Sequence, residues 1–272
     1  MVIYNQPLSE DIRLFAERRI TTYEQPLNEK IRLFLRLELL MGRFRYHLSN
    51  PRPEDTVAAL QLLLDLYNLS ARVDVKSEIL KEIDRIGQSA RLLARNENID
   101  THKLDILLEK LNFHSDVLYQ QRGQLGQDLK NNTFFNSLRQ RASLPGGING
   151  FDLPLFQYWQ EQCVETRVSD LQNWIAPYVS ADEAARTILG MMREFGERRD
   201  EVAREGFFQS TLEVRKPYQM LQVQLPKAVE YYPEISAGKQ RFTLRFMCAD
   251  MFSDRGKQLS ENIPFTLVLC NL

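Results

Sequence analysis

The sequence predicts an α+β protein in which a mainly helical domain is followed by a small antiparallel β-strand domain. Three observations carry this expectation. From Glu29 to about Arg204 apolar residues recur at helical spacing. After Glu205 the pattern changes to alternation, with Leu221, Val223 and Leu225, then Phe242, Leu244 and Phe246, then Phe265, Leu267 and Leu269 each marking one face. An internal repeat precedes both: Tyr4–Phe15 reads YNQPLSEDIRLF and Tyr23–Phe34 reads YEQPLNEKIRLF, nine of twelve positions matching at an offset of 19 residues. The expected organisation is an extra N-terminal arm over 1–22, a helical domain over 23–204 and a β-strand domain over 205–272, with 20–25 as a candidate additional strand.

In each repeat copy Pro7 or Pro26 pushes the preceding glutamine toward an extended conformation, and Ser9 or Asn28 is placed to cap a helix. The first copy then runs out of apolar residues. The second continues IRLFLRLELLMGRFRYHL, a helix to about His47, whose apolar run Ile31–Met41, with the helices that follow, is the expected source of a dimer contact. A period that occurs twice and stops is a local duplication, not a solenoid.

The next helix is expected after Asp55 as N-cap, in TVAALQLLLDLYNLSA. Two more follow in VKSEILKEIDRIGQSARLLARN and THKLDILLEKLNFHSDVLYQQ, linked by Asn98–Thr101. GQLGQDLKNNTFFNSLRQRAS reads as a helix with a loose start. SLPGGINGFDLP is a turn, with Asp152 capping a new helix and Pro154 in its first turn. Pro177 is expected to divide SDLQNWIAPYV from a helix running through DEAARTILGMMREFGERRDEVARE. The three alternating segments after Glu205 read as antiparallel strands, with one face lying on helices.

Composition excludes several classes. With 43% hydrophobic and 26% charged residues, the chain fits a globular protein. A net charge of −1 is unlike a dedicated nucleic-acid binder. Cys163, Cys248 and Cys270 are scattered and odd in number, which points to a reducing compartment. The start MVIYNQPLSEDIRLF lacks a basic region followed by a long apolar one, and charges interrupt every apolar run, so no membrane span is expected. The expectation is a cytoplasmic protein.

Catalytic signatures are absent. His47, His102 and His114 form no metal-ligand pattern with each other or with the cysteines. No serine elbow occurs. GGING at Gly146 lacks the lysine and hydroxyl residue of a phosphate loop. No metal and no cofactor are expected, and an enzyme with a pocket near GGINGFDLP is the weaker alternative.

Positive charge is organised in two places. Alternation along Lys239–Cys248 puts Lys239, Arg241, Thr243 and Arg245 opposite Phe242, Leu244 and Phe246, with no acid between Glu234 and Asp250. An anionic partner would relieve the repulsion among them; periodicity alone does not separate this from a solvated edge strand blunted by its charges. In the helix after Pro26, Arg32 and Arg36 lie one turn apart and Arg43 two turns on, either as a charged rim or as stems lying over a buried helix. Arg72, Arg139 and Arg141 are weaker candidates.

The blocks YEQPLNEKIRLFLRLELL, SEILKEIDR, RQRASLPGGINGFDLPLFQYW and YYPEISAGKQRFTLRFM, in that order, resemble the ZapD family. The resemblance implies a helical domain, a β-strand domain and a homodimer. It further implies a bacterial cytoplasmic division factor at midcell that binds the C-terminal tail of FtsZ and bundles its protofilaments. It carries binding roles to Arg241 and Arg245 with Lys239 beside them, to Arg32 and Arg36, and to Arg72; Arg139 and Arg141 fall within the RQR block. Two positions depart from the pattern: a basic residue of relatives is matched near Thr133, and a histidine is matched by Gln157. The Tyr4–Phe15 copy precedes the typical family start. No enzymatic activity, no nucleic acid and no membrane are implied. A nucleic-acid binder using the same basic sheet face is the alternative, and it lacks stacking aromatics there because Phe242 and Phe246 point the other way.

Overall fold

The computed structural model describes residues 20–49, 51–93, 101–213, 216–250, 252 and 256–271. The first repeat copy and the Asn98–Asp100 part of the expected helix link lie outside them. Among these, two compact units are present, one within residues 32–191 and one of residues 20–31 together with those from 192 onward.

Among the described residues the helical unit is built on eight helices: α1 (Glu29–Ser49), α2 (Pro53–Arg72), α3 (Val75–Leu93), α4 (Thr101–Gln120), α5 (Gln127–Lys130), α6 (Thr133–Ala142), α7 (Pro154–Gln160) and α8 (Val164–Glu194). Asn28 caps α1 as its type predicts, its Oδ1 accepting from Ile31 N at 2.9 Å. Leu33, Phe34, Leu37, Met41 and Phe44 of α1 are buried within the chain. The helix therefore offers a second copy only Leu39 and Tyr46 as large exposed apolar side chains, 51% and 75% exposed. Most of the apolar run Ile31–Met41 is thus buried within the chain itself.

Three expected boundaries move. Helix α2 starts at Pro53, and Asp55 occupies its third position, accepting from Arg52 N at 3.1 Å; proline at the first position needs no N–H there. Asp152 does not cap α7. It is tied back into the turn, its N–H donating to Asn149 Oδ1 at 2.8 Å and its carboxylate accepting from Asn149 Nδ2 at 2.9 Å. The turn itself needs Gly146 and Gly147, with φ of 88° and 67°. Pro177 lies inside one continuous α8 rather than between two helices. Leu171, Ile175, Tyr178 and Ala181 are buried on both sides of it, so packing holds the helix together across the one lost hydrogen bond. The Pro177 carbonyl accepts from Gln121 Nε2 at 2.9 Å.

Among the described residues the β unit contains seven strands, where the sequence predicts three and offers 20–25 as a further candidate, which forms a strand. They are β1 (Ile20–Pro26), β2 (Glu197–Ala203), β3 (Phe207–Thr211), β4 (Met220–Pro226), β5 (Tyr231–Ala237), β6 (Arg241–Cys248) and β7 (Ile263–Cys270). One sheet runs β1-β4-β7-β2 and the other β3-β6-β5, all neighbours antiparallel. Their facing sides share one core, including Leu221, Val223 and Leu225 from the first sheet and Phe242, Leu244 and Phe246 from the second, as in a sandwich. Phe265 meets Phe246 at 5.3 Å and Phe208 at 5.2 Å between ring centroids.

Strand β2 corrects the helix expected to run through GERRDEVARE. Glu, Arg and Ala favour helix, but β2 pairs along its whole length with β7, from Glu197↔Leu269 to Ala203↔Ile263. Tertiary pairing overrides local propensity. The preceding Gly196 is packed so closely that a Cβ there would stand 2.5 Å from Val268 Cγ1. At the other edge Glu24 is clamped by Arg193, with Nε to Oε1 at 2.8 Å and Nη2 to Oε2 at 2.9 Å, and also accepts from Gln222 Nε2 at 2.8 Å.

Burial on both faces of the first sheet pushes the Cys270 thiol up to about 12, whereas Cys163 is exposed. In the native protein at pH 8, a thiol reagent should label Cys163 rapidly and Cys270 only after denaturation. Labelling of native Cys270 at the rate of an exposed thiol would contradict this packing.

Candidate functional site

The basic segment is not an edge strand. β6 is the central strand of its sheet, between β3 and β5. Phe242, Leu244 and Phe246 are at most 1% exposed, so strand alternation sends Arg241, Thr243 and Arg245 to the outer face. The two arginines are exposed and Thr243 is half-buried. Lys239 precedes the strand, exposed in the β5–β6 connection. Gly238 and Arg241 close that connection through Gly238 N to Arg241 O at 2.9 Å.

Register supplies the neighbours that the linear sequence hides. Arg245 stands opposite Phe207 on β3 and Glu234 on β5, and Arg241 stands opposite Thr211. Phe207 is 38% exposed. An aromatic ring therefore does flank the arginine face, a neighbour that the alternation of β6 alone does not reveal. The acid-free stretch between Glu234 and Asp250 is likewise interrupted in space, since Glu234 lies directly across from Arg245. No periodicity signal reports such pairs; they depend on which strands become neighbours. Arg241, Arg245 and Lys239 have no ion-pair partner within 4.0 Å among the described residues. Among the described residues the face thus carries three cations, one acid, one exposed ring and uncharged polar side chains.

A second grouping lies in the helical unit. Arg72, at the end of α2, and Arg139, in α6, line one cleft of about 560 Å³ with Gln61, Asp65, Asn68, Ser143 and Ile148. Burial raises the Asp65 carboxyl above its usual range. The Arg139 guanidinium lies 5.8 Å from the Tyr67 ring centroid, a contact that holds the side chain over α2. The fold thus joins two arginines far apart in sequence. Arg141 is half-buried on α6 outside that lining, and Arg32 and Arg36 lie on α1, half-buried and exposed respectively. Of the two departing positions, Thr133 begins α6, and Gln157 on α7 donates to Glu161 Oε1 at 2.8 Å.

Among the described residues no group of three or more His, Cys, Asp or Glu is arranged to hold a metal ion, and no helix is long and apolar enough to cross a membrane. The arginines on β6 take no part in holding the strand, because the apolar inner face does that. Exposed substitutions of this kind usually change stability by less than about 0.5 kcal/mol. Arg241→Ala with Arg245→Ala should therefore leave urea unfolding within that range of the parent; a loss above about 1 kcal/mol would show them to be structural.

A family model described as "ZapD: Cell division protein" matches residues 35–245. A cell division protein ZapD of Chromobacterium violaceum is 36% identical over 236 residues, which is 87% of this chain and 93% of that protein. Those of Methylococcus capsulatus and Ralstonia nicotianae are 36% and 38% identical, covering 100% of this chain and 98% and 100% of their own lengths.

Proposed function

The chain belongs to the ZapD family of cell-division proteins, non-enzymatic division factors, and on that footing we propose that it binds the C-terminal tail of FtsZ through the outer face of β6. It works as a homodimer that cross-links FtsZ protofilaments into bundles at the midcell division site in the cytoplasm. The observation that carries the reading is the pair Arg241 and Arg245, exposed on a central strand without an ion-pair partner among the described residues, with Phe207 beside them.

The energetics favour a weak, repeated contact. An exposed charge pair contributes roughly 0–1 kcal/mol, and screening acts over about 8 Å at physiological ionic strength. Two arginines, a lysine and one ring therefore hold a single tail loosely and in a salt-dependent way. A filament displays many tails and a two-fold dimer presents two faces, so avidity supplies what one contact lacks. The Arg72–Arg139 cleft is a second cationic place for the same acidic surface, suited to contacts between filament and cross-linker that strengthen once the tail is held.

Phe207 beside Arg245 also favours a second reading, in which single-stranded nucleic acid stacks on the face. One half-shielded ring, with Glu234 on the other side of Arg245, is a poor platform, and we take nucleic acid not to be the ligand. A mobility shift with random DNA or RNA at two salt concentrations separates the two.

Arg241→Glu with Arg245→Glu should abolish co-sedimentation with FtsZ polymer while leaving folding and oligomeric state unchanged; bundling by that variant at physiological salt would exclude this face. Conversely, Glu234→Gln removes the one acid beside Arg245 and should tighten tail binding by up to about fivefold, the equivalent of about 1 kcal/mol. Unchanged or weaker binding in an anisotropy titration would show that Glu234 does not oppose the ligand.

A further inference from the structure

Among the described residues the β3–β6–β5 sheet has two edges with no further strand beside them, and they differ. On β5 the hydrogen bonds that flank the ladder, Ala249 N to Glu230 O at 2.9 Å and Gly238 N to Arg241 O at 2.9 Å, belong to even-numbered residues. The odd-numbered residues of β5 therefore point their backbone groups away from β6. One of them is Pro233, which has no N–H to offer. That edge is blunted.

The β3 edge is not. Phe246 N donates to Gly206 O and Leu212 N to Gln240 O, both at 2.8 Å, so even-numbered residues of this strand face β6. Phe207, Gln209 and Thr211 face the other way. The Phe207 N–H is used by Arg204 O at 2.9 Å, but the N–H and C=O of Gln209 and Thr211 are directed at the open side. β3 reads FFQST, with no charge and no proline. Proteins usually protect an edge with one or the other, and β2, the charged edge of the other sheet, reads ERRDEVA. The side chains of Phe207, Gln209 and Thr211 are exposed and lie on the same outer face as Arg245, Thr243 and Arg241, which are their direct cross-strand neighbours.

We propose that the open edge of β3 receives an extended acidic peptide as a fourth strand of this sheet. The inference rests on the reading that the arginine face binds an acidic tail, and adds how the tail is held. Backbone hydrogen bonds to Gln209 and Thr211 set the register. Carboxylates on the outer face of the added strand reach across the uncharged Gln209 and Thr211 toward the guanidinium groups, a separation of about 10 Å between strand axes that an arginine and a carboxylate close from both ends. Arg241 and Arg245 are four residues apart on β6, about 13 Å along the strand. The peptide that fits best has acids two or four residues apart, with an apolar residue near Phe207. An added strand combines main-chain affinity with side-chain selection, as in other cases of strand addition.

The experiment uses the full chain and a fluorescent synthetic peptide with the sequence of the FtsZ C-terminal tail, read by anisotropy. Two further peptides carry backbone N-methyl groups at alternate residues, one in each phase. Strand addition predicts that one phase loses at least tenfold in affinity and the other binds like the parent, because only every second N–H faces β3. The variant Gln209→Pro should match the damaging phase, with circular dichroism and thermal unfolding as checks on its fold. Equal loss in both phases, or no loss in either, overturns strand addition. The arms separate the two claims: if Arg241→Glu with Arg245→Glu abolishes binding but the methylated peptides bind alike, the face is right and the strand is wrong. If the double variant binds normally, or the parent peptide does not bind, the underlying reading fails.

Discussion

Everything distinctive about this β unit depends on one constraint, the two-residue period of β6. Phe242, Leu244 and Phe246 are committed to the core shared by the two sheets, and Phe246 is held against Phe265. With that side fixed, Arg241 and Arg245 have nowhere to go but outward. A shift of one residue would bury two guanidinium groups and expose three large apolar side chains, a change far costlier than any surface contact on this face. The strand is thus held firmly by groups that take no part in the proposed recognition, and the arginines proposed to recognise the tail are free of structural duty. Because β6 is central, its outer face is also broad. Phe207, Glu234 and Thr211 become its neighbours through pairing alone.

How much of this could be read from the chain follows from what each signal reports. The alternating segments at Leu221, Phe242 and Phe265 are strands as read, because period 2 is a local signal. The change from helix to strand was also legible, and so was the outward direction of Arg241 and Arg245. Strand order was not. β3 and β5 are short, and β5 contains Pro233, so neither shows a clean alternation. β2 has the composition of a helix and is a strand because β7 offers it a full ladder. Pro177 and Asp152 misled for a related reason: both are breaker or cap residues by type, but burial around Pro177 and the Asn149 side chain beside Asp152 decided their roles. The meeting of Arg72 and Arg139 in one cleft is a tertiary fact with no sequence signal at all.

The two cationic places are built differently. The β6 face is flat, exposed and backed by a rigid core; the cleft of the helical unit is concave, and one of its arginines leans on Tyr67. A flat face with an unprotected edge suits a short, extended, flexible segment. A concave cleft with a carboxyl of its own, Asp65, is more selective about the shape of what it receives. The proposed cross-linking asks for one contact that forms readily and one that tightens with crowding of sites, and weak individual contacts let the proposed cross-linker exchange as filaments rearrange.

The most direct measurement of the central claim is hydrogen exchange of the full chain with and without the FtsZ tail peptide, resolved to short segments. The account predicts new protection over 207–211 and 239–245 and none over 61–72 and 139–148. Protection confined to the helical cleft, with the β6 face and the β3 edge exchanging as in the free protein, would contradict it.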